Sequence, residues 1–174
     1  VDAPVTTLEE NVTRNDAFVT AGDGVAVDVP TLVIAMLREE WKPENTDGKV
    51  PNIEFGEHTK GVNFRNNDWV VIWSLPEQSE PVTITHQWTN ERMTLQIETF
   101  TRHSRSHANR FIGELRRIIE NNRNDPFENL DRDNVSGRSW MQWRTINVFD
   151  TISKGWYRRQ AELEIRWRFR EMTA

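Results

Sequence analysis

Arg92-Met93-Thr94-Leu95-Gln96-Ile97-Glu98-Thr99-Phe100-Thr101 puts Met93, Leu95 and Ile97 on one side of an extended chain and Thr94, Gln96 and Glu98 on the other. Such period-two alternation marks a strand with one face in a core. Within a few residues the period changes. Ala108, Phe111, Ile112, Leu115, Ile118 and Ile119 recur at helical spacing, which predicts an amphipathic helix over 104–122. Ser104 or Ser106 can cap its start, and the polar run from Asn121 to Pro126 ends it.

Upstream, Val82–Trp88 alternates again, and Thr89-Asn90-Glu91 is predicted to turn it into a hairpin with 92–101. Before the break at Pro76–Pro81, Asp68–Leu75 is a short apolar run suited to a central strand, and Asn52–Phe55 predicts another strand. Residues 28–41 read as the first helix, with Asp28 as cap, Pro30 in the first turn and Pro43 beyond the end. Its middle is apolar on all sides. A helix of that kind needs a second cover, and another subunit is the expected one, which makes Leu32, Ile34 and Met36 candidate subunit contacts. Residues 1–27 lack helical periodicity and read as an extended arm with a short strand at Ala17–Thr20.

Downstream, an Asn-, Asp- and Gly-rich loop runs to about Arg138. Ser139–Asp150 and Gln160–Glu171 then form two long strands joined through Ser153-Lys154-Gly155. In the last strand Ala161, Leu163, Ile165, Trp167 and Phe169 face in, while Glu162, Glu164, Arg166, Arg168 and Arg170 face out. The expected fold is α+β: a mainly antiparallel β-sheet, two main helices packed on one face and a long C-terminal β-hairpin, forming one domain over 28–174.

Composition narrows the function. The 174 residues include no Cys, which excludes disulfides, thiolate metal sites and a cysteine nucleophile. No apolar run is long enough to span a bilayer, so no membrane partner is expected. Val1–Glu10 has neither the basic nor the apolar region of a secretory signal. The net charge of −5 divides unevenly, with −10 in residues 1–100 and +5 in residues 101–174. Arg outnumbers Lys 18 to 4, a bias that favours planar, bidentate contacts at interfaces or phosphates.

Catalytic motifs are missing: no Gly-rich phosphate loop, nucleophile elbow or metalloprotease helix occurs, so neither enzyme activity nor a cofactor is expected. His103 and His107 have the four-residue spacing of two ligands on one helical face. The neighbouring sequence offers no third ligand and several arginines, so no metal is expected there. Asp131–Gly137 departs from a calcium loop at its third ligand, its Gly and its closing Glu, and reads as a polar turn. Asn11 and Asn134 head chance glycosylation patterns. Glu162 and Glu164 could serve as paired carboxylates, but Arg166, Arg168 and Arg170 on the same face point to cross-strand or cross-subunit pairing instead. Arg102, Arg105, Arg110, Arg116 and Arg117 form a basic cluster, a candidate contact for nucleic acid or a protein partner.

Two stretches carry a family resemblance. Met93–Phe100 followed by the 104–122 helix, and Gly155-Trp156-Tyr157 followed by the alternation to Ile165, resemble the strand-to-helix junction and closing strand of the tail-terminator (tail-completion) proteins of long-tailed bacteriophages, the lambda U-like group. The resemblance covers about residues 28–172, with the arm and the 123–138 loop as additions. It implies a non-enzymatic virion protein, assembled in the host cytoplasm. Such a protein forms a ring homo-oligomer, typically a hexamer, that ends the tail tube, meets the tail tube protein and head–tail connector proteins, and passes genome DNA through its lumen. A head-completion adaptor or stopper of the same neck, and a nucleic-acid-binding module using the Arg-rich second helix, are the alternative readings.

Overall fold

In the computed structural model, residues 13–21, 24–56, 68–74, 78–81, 88–123, 140–144 and 156–170 are described. A 3-10 turn, Arg14–Ala17, leads into a small antiparallel hairpin of β1 (Phe18–Ala21) and β2 (Gly24–Val27). Helix α1 (Val29–Glu40) follows, then a second 3-10 turn at Pro43–Thr46. The main sheet comprises β3 (Asn52–Phe55), β4 (Trp69–Ser74), β5 (Gln78–Pro81), β6 (Trp88–Thr101), β7 (Trp140–Arg144) and β8 (Tyr157–Arg170), with helix α2 (Arg105–Asn121) between β6 and β7.

The sheet order is β3-β4-β6-β8-β7, with β5 also paired to β6. β3 runs parallel to β4, and every other pairing is antiparallel. β6 is the spine. One edge pairs with β8 over all fourteen residues, from Trp88↔Arg170 to Thr101↔Tyr157. The other edge is shared end to end by β4, opposite residues 95–100, and β5, opposite residues 89–92. The fold is α+β with a mainly antiparallel sheet, as the alternating patterns predict.

The expected turn at Thr89-Asn90-Glu91 does not occur: these residues continue β6. The strand paired to them is Gln78–Pro81, inside the predicted break. Pro81 ends β5 on an edge, where a missing N–H is tolerated. The proposed strand at 82–87 lies outside the described residues, as do the loop 124–139, both glycosylation patterns and the turn at 153–155. β7 pairs antiparallel with β8 from Trp140↔Arg166 to Arg144↔Glu162, as two strands of a closing hairpin do. β8 begins at Tyr157, three residues before the predicted start.

One core joins the sheet to both helices. Leu95, Ile97, Leu163, Ile165, Val70 and Ile72 from the sheet meet Phe111, Leu115, Ile118 and Ile119 of α2 and the apolar residues of α1. On α1 every residue from Thr31 to Leu37 is buried. This corrects the assignment of Leu32, Ile34 and Met36 to a subunit interface: each is fully buried in the chain's own core. The second cover is the chain's own N-terminal segment. Ala17 is buried in the same core, and Asp28 N–H donates to the Ala17 carbonyl at 2.6 Å. Arg14 clamps the segment down, donating to Glu39 at 2.9 Å, Glu40 at 2.5 Å and Asn122 at 2.9 Å. Its positive charge lies at the C-terminal ends of α1 and α2, where the helix dipole favours it. Residues 14–21 and 24–27 thus form a 3-10 turn and a paired strand couple rather than an extended arm; residues 1–12 and 22–23 lie outside the described residues.

Capping sets the ends of α1. The Asp28 carboxylate accepts from Thr31 N–H at 3.3 Å and from the Thr31 hydroxyl at 2.8 Å. At the other end Trp41 packs its ring 5.3 Å from Phe111 and donates its indole N–H to Thr46 Oγ1 and the Lys49 carbonyl.

If α1 is covered by its own chain, Ile34→Ala should destabilise the isolated protomer by about 2–5 kcal/mol, the usual cost of emptying a buried aliphatic site. Denaturant unfolding at several protein concentrations checks this. The same loss is expected at each concentration, whereas an interface role would make the loss depend on concentration.

Candidate functional site

Three groups of residues outside the apolar core carry the chemistry: the sheet face away from the helices, the arginines of α2, and a cluster where β6 passes into α2.

Strand alternation places Glu98, Gln96, Arg158, Glu162, Glu164 and Arg166 on the sheet face opposite the helices. Glu98 is 5% exposed and accepts from both Arg158 and Gln96. Arg166 Nε donates to Glu164 at 2.7 Å, and register sets Glu162 opposite Arg144. Part of the Glu/Arg ribbon is thus matched within the chain. Glu164 is buried, Glu162 half-buried, and Arg166 and Arg144 exposed. Arg168 and Arg170 continue β8 at positions paired with Asn90 and Trp88. Trp73 is 37% exposed, and its ring lies over Gly56 so closely that a Cβ there would stand 2.1 Å from it. Only glycine fits that approach.

The five arginines do not form one patch. Arg110 and Arg117, seven apart, share one side of α2, while Arg105 and Arg116, eleven apart, share another. Arg117 is committed to the fold: its guanidinium grips both oxygens of Glu114 at 2.9 and 2.6 Å and donates to the Glu40 carbonyl at 2.6 Å. Glu114 also accepts from Lys42 N–H at 2.8 Å and Asn45 Nδ2 at 2.7 Å, which ties α2 to the end of α1 and the following turn. Arg110 pairs with Asp47 at 2.9 Å, and Arg102 lies 4.4 Å over the Trp156 ring. Arg105 and Arg116 are exposed. The sequence marks Arg117 as surface charge because its buried partner comes from the same helix and the carbonyl from a distant one.

Glu114 has an acid–base consequence. Burial alone would raise its pKa, but hydrogen bonds from Arg117, Asn45 and Lys42, with the Arg117 charge, outweigh burial and hold it below the ordinary 4.5. A carboxyl lowered on folding contributes stability that is present above its ordinary value and lost as pH falls through the folded one.

The third group arises from register. Trp69 pairs with Phe100, so Asp68 stands beside Thr101 and within reach of the residues that leave β6. Ser104 caps α2, accepting from His107 N–H at 3.0 Å, and this cap fixes the turn carrying both histidines. His107 Nε2 lies 3.1 Å and His103 Nε2 3.5 Å from Asp68 Oδ2. On its other side His107 Nδ1 lies 3.1 Å from Asp47 Oδ2. Asp47 occupies the left-handed region (φ 54°), a conformation Asp tolerates. His107 and Asp68 are buried, and the His107 ring packs edge-on against Phe111 at 4.6 Å. The expectation that no carboxylate stands near the histidines is corrected: Asp68, just before β4, comes within reach of both, a proximity that linear spacing does not reveal.

No protein-family model matches this chain, and no curated protein matches it.

Two arginine variants separate fold from surface. Arg117→Ala should lower the thermal midpoint by several degrees, because it leaves Glu114 a buried, partly uncompensated charge, whereas Arg116→Ala should leave it within about a degree. Glu114→Gln should be less stable than the parent at neutral pH, and that gap should shrink as pH falls below 4.5, measured by denaturant unfolding at a series of pH values.

Proposed function

We propose that this protein is a structural subunit of a tailed-virus neck, forming a ring, hexameric by family resemblance, that terminates the tail tube and joins it to the head connector. The observation that carries this reading is the order and pairing of the elements. A first helix leads into a sheet, β6 passes into α2 through only Arg102, His103 and Ser104, and the chain closes on β7 and the fourteen-residue β8. That is the order implied by the resemblance to lambda U-like tail terminators.

The surfaces support the same reading. Both helices and the N-terminal segment cover one face of the sheet, and the other carries Glu162, Arg144, the Glu164-paired Arg166 and an exposed Trp73. Mixed charge on one face and a basic α2 suit contacts between unlike patches on neighbouring copies, the kind that closes a ring. The arginines favour this over a phosphate track, since Arg110 and Arg117 are already neutralised by Asp47 and Glu114. With Leu32, Ile34 and Met36 buried, the ring contacts fall to Glu162, Arg166 and their neighbours rather than to α1.

Native mass spectrometry of the purified protein at micromolar concentrations tests the ring. A dominant closed oligomer, hexameric in mass, is expected, and Arg166→Glu should shift it toward protomer while leaving the circular dichroism spectrum unchanged. Monomer alone at every concentration would count against the reading.

A further inference from the structure

We propose that Asp68, His103 and His107 form a binding site for a divalent transition-metal ion of the zinc class, a role that does not depend on the ring reading. The three potential ligand atoms lie within 4.8 Å of one another. The two separations from Asp68 Oδ2, 3.1 Å to His107 Nε2 and 3.5 Å to His103 Nε2, bracket the edge of a tetrahedron with metal–ligand arms of 2.0–2.1 Å, which is about 3.3 Å. An ion at the centre would reach all three atoms after small side-chain adjustments.

The hydrogen-bond inventory of His107 points the same way. Its two ring nitrogens each lie 3.1 Å from a carboxylate oxygen, Nδ1 from Asp47 and Nε2 from Asp68. A neutral imidazole has only one N–H. If Nδ1–H donates to Asp47, the Nε2 lone pair faces the Asp68 oxygen, and two acceptors oppose each other in a buried site. A cation between them removes that conflict. Asp47 then plays the orienting part familiar in metal sites: a carboxylate accepts the far ring N–H and fixes the tautomer. Arg110 holds Asp47 in turn, through its other oxygen at 2.9 Å.

The donor set selects the ion. Two imidazoles and one carboxylate suit zinc and its transition-metal neighbours, whereas magnesium and calcium prefer all-oxygen sites. Two of the nearby arginines are engaged elsewhere, Arg110 with Asp47 and Arg102 on the Trp156 ring. His103 is 47% exposed, so the fourth coordination position opens toward solvent, where water can complete the shell.

The test uses the untagged full chain, stripped with a chelator, dialysed and titrated with Zn²⁺ against a chromophoric competitor. One equivalent is expected to bind, Co²⁺ in its place should give the visible absorption of a tetrahedral site, and excess Mg²⁺ or Ca²⁺ should not compete. His103→Ala, at a half-exposed position, should weaken binding at least tenfold with the fold intact by circular dichroism. Asp47→Asn should weaken it by roughly 10–100-fold, the usual effect of losing an orienting partner. Zn²⁺ should also raise the thermal midpoint of the parent chain and not of His103→Ala. Failure to bind Zn²⁺ tighter than His103→Ala does, or equal binding by all three proteins, would overturn the proposal.

Discussion

The fourteen-residue antiparallel pairing of β6 with β8 is the constraint on which the rest of the structure depends. Side chains alternate with a period of two, so a slip of one residue would exchange Met93, Leu95 and Ile97 for Thr94, Gln96 and Glu98 on the core face. With the register set, Leu95 lies opposite Leu163, Met93 opposite Ile165 and Ile97 opposite Ala161. The helices pack on that apolar face, and the charged residues are left on the other. Because β6 continues into α2 after three residues, the same register also decides where α2 starts, and hence which side chains meet Asp68 at the end of β4.

The second organising element is the complete burial of α1. A twelve-residue helix with apolar residues all round cannot satisfy itself against a single sheet. The chain meets this by folding its N-terminal turn back over the helix and fastening it with one guanidinium that reaches Glu39, Glu40 and Asn122. Polar groups are handled with similar economy elsewhere. Glu114, 2% exposed, accepts four hydrogen bonds from Lys42, Asn45 and Arg117, so a charge that would be costly alone becomes a cross-brace between helices.

How much of this is legible in the sequence follows from the range of each signal. Alternation, short apolar runs and capping residues are local signals, and they place α1, α2, β3, β4 and the strand parts of β6, β7 and β8 within a few residues. The α+β class follows from their order. Local signals misplace the turn near Asn90, because Thr-Asn-Glu carries no strand pattern of its own and pairing with β5 on one edge and β8 on the other holds it extended. Similarly, an all-apolar helix says that a second cover exists but not which chain provides it. The His103/His107 spacing is visible in the sequence, yet Asp68 and Asp47 join it only through the β4–β6 register and the turn after α1. Arg117 shows the reverse error: a residue that reads as surface charge is held by a buried carboxylate one helical turn away.

In the proposed ring, the folded protomer would offer one charged sheet face and one basic helix to its neighbours. The most direct measurement is electron cryo-microscopy of the virus particle carrying a small labelled version of the protein. The label should form a single ring between the capsid and the end of the tail tube. Labelled particles with no density at that junction, or label found only in soluble host-cell fractions, would contradict the account.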